Sequence, residues 1–148
     1  MKTITSYVLF VAIALLFSAC SNSTSVGAVV ESGGPDRIEV LDFHTDHRCK
    51  TCLTIEEMTR AVLSEDYADQ MKKGTITFQL INVDKEENLP VAQKFSAFGT
   101  SLVLNVVHAG QEKQINLTDF AFMNAEDEDK FKAGLKDHLT TELQSLQL

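Results

Sequence analysis

Cysteine is scarce in this chain: only three occur among 148 residues, at positions 20, 49 and 52. A disulfide framework has too few members to form, and a zinc site built from two CxxC pairs lacks its second pair. Tryptophan is absent and basic residues are few. Without Met1 to Ala19, which holds Lys2 and no acid, 12 basic residues face 21 acidic ones, a formal charge of −9. That balance excludes nucleic acid and anionic headgroups as natural partners. Long apolar runs are also missing. The longest, Tyr7 to Phe17, is too short to span a bilayer. No GxGxxG follows a strand, because Gly33-Gly34 lies in a polar linker, so neither nicotinamide nor flavin is expected and no cofactor is assigned. There is no internal repeat.

What is present at the N-terminus reads as an export signal. Lys2, the apolar run and "FSAC" have the order of a charged region, a hydrophobic region and a small-residue cleavage site. Cys20, directly after Ser18 and Ala19, resembles the acylated cysteine of a bacterial lipobox, although Phe17 stands where leucine is usual. Residues 1–19 are therefore expected to be a lipoprotein signal, with cleavage near Ala19 and a free Cys20 as the alternative. Residues 20–35, rich in Ser and Gly, are expected to be a tether, and residues 36–148 a folded domain. The sequons at Asn22 and Asn116 read as chance matches.

Within the domain, "RIEVLDFH" predicts a buried strand and Cys49 to about Lys73 a helix, with a break near Ser64 to Asp66 and a stop at Gly74. Thr75 to Asp84 alternates as a strand whose Ile76, Phe78 and Leu80 share one face. Asn88 is expected to cap the helix "LPVAQKFSAF". "SLVLNVV", the turn "HAGQ" and "EKQINL" predict a hairpin, and the tail from Asp127 predicts an amphipathic helix through Phe131, Leu135, Leu139 and Leu143. The order β-α-β-α-β-β-α predicts an α/β fold, a mixed four-stranded sheet with helices on both faces.

The chemistry concentrates in "FHTDHRCKTC", residues 43–52. Cys49 and Cys52 stand at the start of a helix, where free N–H groups and the dipole stabilise a thiolate on the first sulfur. Arg48 and Lys50 add positive charge. Cys49 is thus the expected nucleophile and Cys52 the resolving thiol. A disulfide closing so short a loop would be a poor structural staple. His44, His47, Cys49 and Cys52 are all ligand types, so a soft-metal site is the alternative, either from all four or as arsenite capture by the dithiol alone. Against the four-ligand form, "HTDHR" has no glycine for the tight bend it needs. His47 otherwise lines the rim, and His108 and His138 read as turn and surface residues.

From Arg37 onward the chain resembles thioredoxin-fold proteins. Asp42-Phe43 resembles the end of the strand before their dithiol, "INVDKEENLPVAQKFSAFGTSLVL" resembles their central strand-helix-strand, and CKTC takes the dithiol position. More narrowly, "FH", "RCKTC", Ile55-Glu56 and "TSLVL" together resemble the bacterial nitrophenyl compound nitroreductase subunits of the ArsF family. The resemblance implies a thiol-disulfide oxidoreductase or electron relay. It would take electrons from a membrane dithiol transporter and reduce a disulfide-bearing exported protein, facing the periplasm from a lipid on Cys20.

Three departures from the thioredoxin pattern matter. Arg48 replaces an aromatic residue. The segment from Asp42 to Cys49 is longer, which leaves Asp42 two readings, a buried proton acceptor for Cys52 or a strand-end carboxylate facing solvent. Thr100 stands where a cis-proline is usual, so a trans peptide is expected there. Gly99, Thr100 and Ser101 would inherit the substrate-binding location, and in the superfamily loss of that proline is also associated with metal binding.

Overall fold

A computed structural model describes residues 34–147. The signal peptide, Cys20, the Asn22 sequon and all of the tether up to Gly33 lie outside the described residues. Among the described residues, no helix is long and apolar enough to cross a membrane.

Four strands form one mixed sheet. Strand β1 (Arg37–His44) lies between β2 (Ile76–Asn82) and β3 (Ser101–His108), and β4 (Gln111–Asn116) completes the order β2-β1-β3-β4. The β1–β2 pair is parallel and the other two pairs are antiparallel. Because β1 and β3 are central, their side chains are buried on both faces, which explains their nearly continuous apolar sequence.

Helices cover both faces, as the sequence predicts. On one face α1 (Lys50–Asp66) and α5 (Glu128–Ser145) press Ile55, Val62, Phe131, Leu135 and Leu139 against Ile38, Val40 and Leu104. On the other, α3 (Leu89–Lys94) and the segment after it bring Ala92 and Phe95 onto Leu41, Phe43 and Val103, with the Phe43 and Phe95 rings 5.9 Å apart. Burying a side chain of this size contributes roughly 1.5–3 kcal/mol.

Several expectations are refined. The break expected near Ser64 to Asp66 falls at Tyr67, beyond which α2 (Ala68–Lys73) resumes. Tyr67 is buried, and its hydroxyl donates to the Lys136 carbonyl at 3.0 Å, so packing against α5 sets the break. Gly74, at φ 75°, ends α2 in the left-handed conformation. Asn88 does not cap α3: its side chain donates to the Asn82 carbonyl at 2.8 Å, and a 3-10 turn, Glu86–Asn88, leads into the helix. In β2, Ile76 and Phe78 join the α1 face, but Leu80 is 37% exposed on this edge strand.

The hairpin turn consists of Ala109 and Gly110, both at positive φ (50° and 77°), the geometry that suits a two-residue connection. Periodicity did not reveal α4 (Thr118–Met123), a helix too short to show it. It docks through Phe120, and Gly134 of α5 permits the approach, since a Cβ there would stand 2.4 Å from the Phe120 ring.

Candidate functional site

The site forms where β1 ends and α1 begins. The intervening loop is braced: Thr45 donates to the His47 carbonyl at 3.0 Å, Asn82 donates to the Asp46 carboxylate at 2.7 Å, and the Asp46 N–H donates to Asp84 at 2.7 Å. Cys49 is the N-cap of α1, and its sulfur accepts the Cys52 N–H at 3.1 Å. An apolar side chain at this position would leave that N–H without its partner. The two cysteines are joined as a disulfide, with Cα atoms 5.1 Å apart. Cys49 is exposed and Cys52 only 5% exposed. This is the asymmetry expected of an attacking and a resolving sulfur.

Thr100 meets the pair from the opposite side, its hydroxyl donating to the Cys52 sulfur at 3.3 Å. The described residues contain no cis peptide, so the bond before Thr100 is trans as expected. Ser101 donates to the Gly99 carbonyl at 3.4 Å. Sequence reasoning placed Gly99, Thr100 and Ser101 near the dithiol but did not foresee that a hydroxyl would replace proline in contact with sulfur. Lys50 and His47 are exposed, while Arg48 is half-buried and turned toward Glu56.

Asp42 is fully buried, which removes the reading of a solvent-facing carboxylate. It lies in register with Leu80 of β2 and Leu102 of β3. Neither of its carboxylate oxygens has a protein hydrogen-bond partner. Burial, reinforced by the negative charge of Glu56, pushes its pKa up from 3.8 to about 7, against partial relief from Arg48 and Arg60. Glu56 behaves oppositely. Its partial burial would raise its pKa, but hydrogen bonds from Arg48 and from Arg60, the latter at 2.6 Å, hold it below the ordinary range.

In the sequence Glu56 counted only toward the family resemblance, and neither it nor Arg60 was given a role at the site. The signal was the spacing: Cys52, Glu56 and Arg60 recur at four-residue intervals along one stripe of α1.

The four-ligand metal alternative is not assembled. Among the described residues no three His, Cys, Asp or Glu side chains converge as a metal site. His44 turns its Nδ1 to the Thr45 carbonyl at 2.9 Å, His47 points outward from the braced loop, and both sulfurs are committed to each other. A cleft of about 500 Å³ lined by Arg60, Leu63, Met71 and Phe78 contains neither cysteine. The chemistry these residues allow is therefore that of an accessible, redox-capable cysteine pair, with a buried carboxyl on the strand that leads into it.

No family model matches the chain, and no curated protein matches it. Among solved structures, the chain is similar to the solution structure of a thioredoxin from Thermus thermophilus, with 22% identity and a TM-score of 0.36 over 53% of this chain. It spans 58% of the length of that thioredoxin. It is also similar to a structure described as that of a malarial protein, with 17% identity, a TM-score of 0.38, and coverage of 60% of this chain and 94% of that one.

Proposed function

We propose that the chain is an exported, membrane-anchored thiol-disulfide oxidoreductase or electron relay that reduces a disulfide in an exported partner, in the manner of the thioredoxin-like ArsF group it resembles. The observation that carries this reading is the exposed Cys49 at the α1 N-terminus, paired with a buried Cys52. In the reduced protein, the Cys49 thiolate attacks one sulfur of the partner disulfide, forming a mixed disulfide and releasing one partner thiolate. Cys52 then gives its proton to ionised Asp42 and attacks the Cys49 sulfur. The second partner thiolate leaves, protons from solvent complete both partner thiols, and two electrons have passed to the partner. A membrane dithiol transporter would restore the Cys49 and Cys52 thiols.

Thr100 supports the cycle by holding a donor at the Cys52 sulfur. Leu53, next to Cys52, and Phe98, two residues before Thr100, are 49% and 78% exposed and offer apolar contact to a polypeptide partner. Membrane attachment through lipid on Cys20 rests on the sequence pattern.

The test is a pair of variants and a potential. Cys49→Ser should abolish disulfide exchange, and Cys52→Ser should accumulate the mixed disulfide. Equilibration with glutathione and dithiothreitol should place the pair toward the reducing end of the range of about −270 to −120 mV spanned by related dithiols. A fully active Cys52→Ser protein, or thiols that bind metal or arsenite stoichiometrically and exchange no disulfide, would overturn the proposal.

A further inference from the structure

The buried charges beside the dithiol are arranged unevenly. Arg48 has the geometry to serve two carboxylates, yet its ion pair is with Glu56, and its Nε and Nη2 groups are buried without partners. Asp42, which feels the charge of that guanidinium, has no hydrogen bond at either oxygen. Glu56 is the better-served anion, since Arg60 also donates to it. Across the sheet, Leu80 and Leu102 bring no charge to Asp42. On its own strand, His44 turns its ring to the Thr45 carbonyl. The charges acting on Asp42 thus come from Glu56 and Arg60 of α1 and from Arg48 in the loop before it.

We propose that Glu56 is a positioning residue for the dithiol reaction: it claims the Arg48 guanidinium and so leaves the buried Asp42 carboxyl without a cationic partner. The proposal rests on the thiol-disulfide reading above. Its consequence is chemical. A carboxylate bonded to arginine would ionise early and make a weak base, whereas an unpaired buried one keeps its basicity and can take the Cys52 proton near neutral pH. When Asp42 ionises during the cycle, the unpartnered Arg48 N–H groups are close enough for their charge to moderate the cost of the new anion. Glu56 sets how far that compensation goes.

The test follows the Asp42 carboxyl carbon by NMR while the oxidised protein is titrated, which requires no turnover. In E56Q, both the repulsion and the competition for Arg48 are lost, so the midpoint should fall by about one pH unit or more. E56D should keep it close to that of the parent protein. R60Q removes a cation without freeing Arg48 and should move it upward. The pH profile for reduction of oxidised glutathione by the reduced protein should shift with the E56Q carboxyl midpoint.

An unmoved E56Q midpoint in a folded protein overturns the proposal, as does a carboxyl shift with no counterpart in the rate profile. A parent protein that exchanges no disulfide overturns the functional reading and the positioning role with it, while the titration still decides whether Glu56 controls the carboxyl.

Discussion

At the Arg37 end of β1, Glu39 receives Arg37 at 2.7 Å and the Asn105 side-chain amide at 2.8 Å, and of these groups only the Asn105 oxygen is buried without a partner. At the His44 end, Asp42 is buried with both oxygens unpartnered, and Arg48 nearby has two unpartnered nitrogens. One strand therefore carries two carboxylates a few residues apart, the first built into the framework and the second kept short of partners. Buried polar groups are satisfied almost everywhere in folded proteins, and a concentration of exceptions such as this is a pattern common at functional sites.

The contrast predicts opposite signs for removing the two charges. Asp42 holds its proton to about pH 7 when folded and would release it near 3.8 when unfolded. Between those values the folded state binds the extra proton, so stability should fall as pH rises through that window and level off above it. Asp42→Asn should abolish this slope and be more stable than the parent protein at pH 8 by about 4 kcal/mol, the two converging near pH 4. Urea unfolding across a pH series measures this, and parallel curves for the two proteins would refute it. The same substitution should slow disulfide exchange, because the amide cannot accept the Cys52 proton.

Glu39→Ala should do the reverse. It strands Arg37 and the buried Asn105 amide, at an expected cost of roughly 1–3 kcal/mol with disulfide exchange unchanged. Equal stability would mean that the network at that end is merely tolerated.

The smallest effect should come from Asp36, an exposed carboxylate that accepts from the Ala109 N–H at 2.9 Å and lies 2.8 Å from His108 Nδ1. The Ala109 hydrogen bond leads in lowering its pKa, so its contribution is present above its ordinary value of 3.8 and lost as pH falls through the lower folded one. Asp36→Asn should speed amide exchange at the hairpin turn at neutral pH, with the difference closing in acid. No change at Ala109 would show that the hairpin needs no such tie.

Much of the fold was legible because local patterns and burial agree. The strand at Arg37–His44 is apolar enough to be central, Gly110 sits where the turn requires positive φ, and Phe131, Leu135 and Leu139 recur at the spacing that buries one side of α5. The misses share a cause. Asn88, a good capping residue by type, was drawn to the Asn82 carbonyl, and α4 exists because Phe120 packs where Gly134 leaves room. Each outcome depends on a contact with another element rather than on the segment's own pattern.

The site divides in the same way. By itself the sequence determined the α/β order, the dithiol at a helix start and which cysteine would be exposed, because spacing and local polarity act within a turn or two of chain. Tertiary structure alone decided that Asp42 would be buried and unpaired, that Thr100 would touch the Cys52 sulfur, and that Glu56 would take Arg48. Those are properties of distance and dielectric between separate segments, and they come into being only when the sheet, loop and helix enclose the same few ångströms of space.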